Sequence, residues 1–576
     1  MLIDPRRGDI EDDSASPGQR SLLAIAGSLL VEISLPKLLF AWTVSLLMPA
    51  ILLGLAPLVA SAWFSSVSEH VLELTGIGAA LALAIVVAFG WFAWRPLFRA
   101  VETNFWSLNA LAVQPGYAFG REALRHLAEA MLGDNTHAVA RARLRATSSA
   151  CAGILLCLCA VAVALVIWPA SRWIGAVSDL LQPHHLIVPT LANAVIVVSI
   201  YLAVASLVWG FADARMDQPL DSPGFDDVPS GSRTWRVAHL SDLHVIGEQY
   251  GFRIESGRAG PRGNGRFASV MAHLATIHAA DPLDLVLVTG DMTDAGRASE
   301  WAEFLDVMAR HPDLAARMIV LPGNHDMNIV DRANPARLDL PFSPGKRLRQ
   351  MRTLSAMAAV QGNRVRVVDD AGKPAATLDK ALAGYHQRIA DFADQGGLRR
   401  AARLVGLFEE QFPMLLPPDG DDGLGVVILN SNADTHFSFT NALGLVSVEQ
   451  THRLLAALGA FPRAKWIVAL HHHVIEYPMP VAKFSERIGT ALVNGSWFIR
   501  LLKPFASRII IMHGHRHIDW NGACGGLKII SAPSPVMGFP DASPSYFLIH
   551  TLAAGPNGQL CLLPPEKVEI PGVAGS

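Results

Sequence analysis

Aspartate, asparagine and histidine recur in short clusters along the 576-residue chain from residue 242 onward: "DLH" at 242–244, "GD" at 290–291, "GNHD" at 323–326, "HHH" at 471–473 and "GHRH" at 514–517. Their oxygen and nitrogen donors suit Mn, Fe, Zn, Ni or Co. A single Asp after an apolar run is ordinarily a turn former or a helix cap. Independent capping would not select histidine again and again, because imidazole caps poorly. Asp242 and His244, one residue apart, share a face if strand geometry persists to that point.

Six short apolar runs are positioned to present these clusters: "TWRVAHL", "LDLVLVTGDMTD", "ARMIVLPGNHDM", "GVVILNSN", "AKWIVALHHHV" and "ASRIIIMHGHRH". Between several of them lie amphipathic patterns, as at 268–278 and 448–458, so the segment reads as βαβ units around a parallel sheet. Five of the six lead into the Asp, Asn and His clusters quoted above. In open α/β sheets the carboxyl ends of the strands form the site, which would bring these residues together.

The ordered set resembles the calcineurin-like metallophosphoesterases, whose motifs are D-x-H, G-D, G-N-H-[DE], a later His and G-H-x-H. The resemblance runs from about Trp235 to the region of His550. It implies an α/β fold, a four-layer αββα sandwich, holding two divalent metal ions (Mn, Fe, Zn, Ni or Co). By position, Asp242, His244 and His517 would bind one ion, Asn324, His471 and His515 the other, and Asp291 would bridge them. A metal-activated hydroxide would then attack phosphorus in line. His325 would protonate the leaving oxygen or stabilise charge, and Asp326 would orient His325. His471 is placed as the ligand because it directly ends "WIVAL"; His472 is its rival and a candidate substrate contact, and His473 would touch substrate or face solvent. "SDLH" with "GDMTD" is similar to the wording of bacterial cyclic-nucleotide phosphodiesterases.

Two insertions bear on substrate. The segment 247–266 holds Arg253, Arg258, Arg262 and Arg266 among glycines, and Arg262 and Arg266 are candidates to grip a second phosphate. The segment 327–424 carries helical patterns and is expected to cap the site.

The remaining composition concerns the first 212 residues. The chain is 51% hydrophobic with a formal net charge of −3, which argues against a nucleic-acid partner. Five cysteines, three of them in an apolar stretch, read as packing residues of a reducing compartment. Four uncharged segments, 38–63, 74–94, 148–171 and 186–212, exceed the ~20 residues a membrane-spanning helix needs. They predict a four-helix transmembrane region over 35–212, after an N-terminal tail 1–34 with an interfacial helix near 22–31. Arginines 95, 99, 121, 125, 141, 143 and 145 crowd the second loop and Arg6, Arg7, Arg20 and Lys37 the tail, so the positive-inside rule puts both termini in the cytoplasm of a multi-pass inner-membrane protein. A solvated linker, 213–234, leads to a domain over 235–576.

The function expected from all this is hydrolysis of a phosphodiester or pyrophosphate bond at the cytoplasmic membrane face, on a lipid-linked or nucleotide substrate, with the bilayer as the other partner. A sensor or transporter regulated by the phosphoesterase domain is the competing reading; the spans lack the buried acids and bases that mark an ion path.

Overall fold

A computed structural model describes residues 48–73, 114–130, 138–176, 182–247 apart from 223, 264–330, 343–435, 441–479, 492–537 and 544–570, with isolated positions besides. The chain divides into two compact units, one over Ser34–Met216 and the other over Asp217–Pro480 and Gly489–Ser576.

The first unit is helical: α1 (Met48–Glu73), α2 (Gln114–Ala130), α3 (Ala138–Ile167) and α4 (His184–Ala214). α3 and α4 cross at Gly153 and Gly210, where an added Cβ on Gly153 would strike the carbonyl of Ser206. Ser149 with Gly153 and Ser206 with Gly210 repeat small residues at i, i+4 on both helices, the spacing that lets apolar helices approach backbone to backbone. α2 is tied to its neighbours by charge. Arg121 Nη1 lies 2.7 Å from Asp213 Oδ2 and Arg145 Nε 2.7 Å from Glu129 Oε1, while Arg125, paired with Glu122 inside α2, donates from Nη2 to Ser149 Oγ of α3 at 2.9 Å. Loop arginines counted for topology are thus also structural partners.

Among the described residues two helices are long and apolar enough to cross a membrane, Ala140–Ala170 and His184–Ala214, by length and composition. The described part of the first expected span forms a shorter apolar helix, Ala50–Ser65. Nearly all of the second, 74–94, lies outside the described residues, as do the tail 1–34 and the basic loop with Arg253, Arg258 and Arg262.

The second unit contains two mixed sheets. β2 (Thr234–Leu240), β3 (Leu285–Val288) and β4 (Met318–Val320) run parallel in a six-stranded sheet completed by β13 (Tyr546–Ala554), β14 (Leu560–Leu562) and β15 (Glu566–Glu569). β8 (Leu424–Ile428), β9 (Lys465–Ala469), β10 (Ile509–His513) and β12 (Leu527–Ser531) run parallel in a nine-stranded sheet. All six strands expected from the sequence are present. Ile467, Ala469, Ile510 and Met512, alternate residues of β9 and β10, share one apolar core with Val237, Ala238 and all of β3. Parallel strands buried this way read as continuous apolar runs, which is how the sequence shows them. At the β4 edge, the Gln361 side chain takes the place of a strand, accepting from Val320 N at 2.7 Å and donating to Val320 O at 2.9 Å.

Two expectations change here. The 327–424 segment joins the body rather than standing off as a cap. Its strands β5 (Arg366–Val368), β6 (Pro374–Thr377) and β7 (Met414–Leu416) extend the nine-stranded sheet, and Met351, Leu354, Phe392 and Phe408 lie in the main core. Apolar residues at helical spacing bury against whatever apolar surface is nearest, and here that is the sheet. The expected linker also packs from Asp217 onward: β1 (Leu220–Asp221) pairs with β11 (Trp520–Cys524), Trp520 Nε1 donates to Asp221 Oδ1 at 2.9 Å, and Asp226 meets Lys528 and the amide of Leu562.

Candidate metal centre

The predicted ligands stand just past the carboxyl ends of β2, β3, β4, β9 and β10, all members of the two parallel blocks. Parallel strands end on the same edge, so the loops that follow them converge. Contacts stitch the two blocks together: Asp242 Oδ2 accepts from His515 N at 3.0 Å, and His471 Nδ1 lies 2.7 Å from Thr289 O.

Strand alternation does not bring Asp242 and His244 together. β2 ends at Leu240, and both residues adopt left-handed backbone, with φ of 55° and 43°. Asp291 (52°), His515 (70°) and His517 (53°) do the same, and among the described residues these five are the non-glycine positions with positive φ. Such conformations cost about 1–3 kcal/mol each and gather where function requires them. The motif glycines have a related cause. An added Cβ on Gly323 would collide with the backbone and carboxylate of Asp291, and one on Gly514 with the side chain of Ser241.

The donors form two groups. In one, Asp242 Oδ1 lies 3.1 Å from His517 Nε2, which is 3.3 Å from His244 Nε2. In the other, His471 Nε2 lies 3.3 Å from Asp291 Oδ2, 3.0 Å from Asn324 Oδ1 and 3.1 Å from His515 Nδ1; His515 Nδ1 is also 3.0 Å from Asn324 Oδ1. Asp291 Oδ2 reaches both, standing 3.9 Å from His244 Nε2.

These donors fit divalent cations. Two ring nitrogens, an amide oxygen and a carboxylate oxygen gather within 3.0–3.3 Å of their neighbours around His471 Nε2. Around a cation bound at ~2.0–2.2 Å, ligand atoms fall naturally at such separations. Asp242 Oδ1 is buried and faces His517 Nε2 at 3.1 Å, and a buried carboxylate oxygen is costly unless positive charge faces it. The bond from His471 Nδ1–H to the Thr289 carbonyl leaves Nε2 as the coordinating atom, the usual arrangement for a metal-binding imidazole. Burial would raise the Asp291 carboxyl, but the imidazoles of His471, His325 and His244 outweigh it and hold it well below the usual range. Burial likewise opposes charge on His471, yet the Asp291 carboxylate lifts it to about 9.

The remaining site candidates fall in different places. His325 is partly exposed, its amide donates to Asp291 Oδ1 at 2.8 Å, and its Nδ1 lies 2.7 Å from the carbonyl of Asp294. Asp326 does another job than the expected one. It accepts from Thr293 N at 2.9 Å, Thr293 Oγ1 at 2.7 Å and Gly323 N at 2.9 Å, closing a capping box on the turn Asn324–Met327 and pinning the loop after β3. Its burial and the nearby Asp291 charge push its carboxyl up to about 7.

His472 is fully buried, with Nδ1 2.9 Å from Ser431 Oγ and its ring 4.5 Å from that of His515. That places it against a ligand ring rather than at an open substrate surface. His473 is equally buried and does not face solvent. Arg266 donates to Val536 O at 2.8 Å, tying its helix to the loop after β12.

Sequence reasoning missed Asp294. Its Oδ1 lies 3.5 Å from His244 Nδ1, its carbonyl takes His325 Nδ1, and with those two histidines it forms a third group able to hold a cation. Its signal was the final residue of "GDMTD", three positions beyond Asp291.

Residues 236–519 match the model of the calcineurin-like phosphoesterase family. The cyclic-AMP phosphodiesterase CpdA of Haemophilus influenzae is 30% identical over 113 residues, 19% of this chain and 39% of that protein. The chain therefore spans about two fifths of the curated relative it matches. Among solved structures, a dimetal phosphatase from Danio rerio is similar at 12% identity, covering 58% of this chain and 99% of that one at a TM-score of 0.33. A purple acid phosphatase from yellow lupin seeds covers 60% of this chain and 53% of its own at 13% identity and a TM-score of 0.32. Residues 236–519 thus form a domain of the calcineurin-like phosphoesterase family.

Proposed function

We propose that the chain hydrolyses a phosphodiester or pyrophosphate bond with two divalent cations, one held by Asp242, His244 and His517 and the other by Asn324, His471 and His515, with Asp291 between them. The observation that carries this is the reach of a single Asp291 oxygen toward both donor groups, 3.3 Å from His471 and 3.9 Å from His244. Cations bound there would supply Lewis acidity at phosphorus and make water a nucleophile at neutral pH. His325, oriented through Nδ1 by the Asp294 carbonyl, presents Nε2 and delivers its proton to the leaving oxygen. Asp294 Oδ1 stands 3.5 Å from His244 Nδ1, a negative charge that favours a proton on Nδ1 and leaves Nε2 to the donor group.

On this reading the two sheets pack face to face with helices outside them, in four layers. Helices crossing the inner membrane hold the enzyme at its cytoplasmic face; the length and apolarity of Ala140–Ala170 and His184–Ala214 support the crossing, and the arginines of the second loop the face. A lipid-linked phosphoester suits that location. A cyclic nucleotide is the second reading, favoured by the similarity to CpdA, whose name states that substrate.

The test is a substrate panel on the full-length protein in detergent with Mn²⁺: bis-p-nitrophenyl phosphate, cyclic nucleotides, phospholipids and nucleotide-lipids, each with and without chelator. Chelator-sensitive hydrolysis of a diester or pyrophosphate is expected. Inactivity across all substrates and metals would sink the reading, and hydrolysis of cyclic nucleotides alone would select the second.

A further inference from the structure

The two most exposed large apolar side chains among the described residues of the second unit are Leu398, 64% exposed, and Val405, 61% exposed. They belong to one short helical knob. The helix Leu398–Ala402 continues through i→i+3 bonds, Arg403 N to Arg400 O at 3.1 Å, Leu404 N to Ala401 O at 3.1 Å and Val405 N to Ala402 O at 3.4 Å. Left-handed glycines bracket it, Gly396 (φ 59°) and Gly397 (93°) before and Gly406 (82°) after.

Helical spacing sorts the knob into stripes. Ala401 and Leu404 are buried in the core and anchor it. Leu398, Ala402 and Val405, spaced by four and three, form an exposed stripe, with exposed Arg399 and Arg403 beside it. Arg400 turns back instead to the knob's own base, donating to the carbonyl of Gly396 at 3.4 Å and meeting Gln395. The result is a firmly seated element whose outer face combines two apolar tips with two arginines.

We infer that this knob docks on an anionic lipid surface, inserting Leu398 and Val405 among the headgroups while Arg399 and Arg403 engage lipid phosphates. This rests on the membrane reading above. Three features select lipid over a protein partner. The same chain carries two helices long and apolar enough to cross a bilayer, which on the membrane reading puts lipid within its reach. Arginine forks match phosphate oxygens, and basic residues beside apolar ones are the composition of interfacial segments. Two apolar side chains fall far short of the ~800 Å² per partner that a stable protein interface buries, whereas a tethered chain needs only a weak contact.

The test uses the full chain in detergent, in vesicles of phosphatidylcholine, and in vesicles of phosphatidylcholine with phosphatidylglycerol. Flotation reports insertion, and amide hydrogen exchange of the peptide covering 397–406 reports docking. The expected result is co-flotation with both vesicles and exchange slowed in the phosphatidylglycerol vesicles, the slowing cut roughly tenfold by the double variant Arg399→Glu, Arg403→Glu and lost with Leu398→Asp. Activity of these variants on bis-p-nitrophenyl phosphate in detergent should be unchanged, which shows that they fold. Co-flotation with the same exchange in all three settings overturns docking alone. No flotation with either vesicle overturns docking and membrane insertion together. Protection that appears in detergent and grows with protein concentration would make the partner a second copy and overturn the proposal.

Discussion

At the scale of residues, the centre depends on side chains whose alternatives are unacceptable where they sit. Asp291 faces both donor groups and also takes the amide of His325. Asp291→Ala should therefore abolish Mn²⁺-dependent turnover, and a variant that keeps more than a small fraction of activity would remove the bridging role. Asp294→Ala leaves the donor groups in place but frees His244 Nδ1 and disturbs the loop whose carbonyl holds His325; a loss of about 10–100-fold in activity or metal affinity is expected. Retention of the parent rate and metal titration would show that His244 and His325 orient themselves. Asp326 is a different case. Its removal strands buried donors of Thr293 and Gly323, so Asp326→Ala should lower thermal stability, by about 2–4 kcal/mol, whether or not metal is added. An unchanged melting temperature with lost activity would return Asp326 to the expected role of orienting His325.

At the scale of elements, the turns after the strands do what strands cannot. Left-handed residues past β2, β3 and β10 rotate ligands inward, and Gly323 and Gly514 let neighbouring loops touch. Gly514→Ala should force the β10 loop away from Ser241, giving a folded protein with strongly reduced activity; full activity would mean that this approach is dispensable. The docked segment before β2 makes a stability prediction. A soluble truncation starting at Ser230 lacks β1 and the Asp226 contacts to Lys528 and Leu562. It should melt below one starting at Asp217, by about 2–4 °C per kcal/mol lost, and equal melting curves would show that the segment adds nothing. The strands themselves were legible because buried parallel strands are uninterrupted apolar runs. The fate of 327–424 was not, since apolar spacing says that a helix buries a face and not what it buries it against.

At the scale of the whole molecule, a reporter fused after Ser576 should register cytoplasmic location, and an extracytoplasmic signal would reverse the proposed topology. The order of the five clusters along the chain, the donor types and the strand-to-loop pattern pointed by themselves to the family resemblance and the seven ligand candidates, because chain chemistry of that kind survives without any knowledge of distance. Only the tertiary structure decided that Asp294 joins His244 and His325, that Asp326 caps a turn, that His472 lies behind His515, and that the segment from Asp217 packs on its domain. The physical reason is range. Donor identity and apolar periodicity are local properties, whereas which carbonyl a histidine finds, and which surface a helix covers, depend on residues tens or hundreds of positions away.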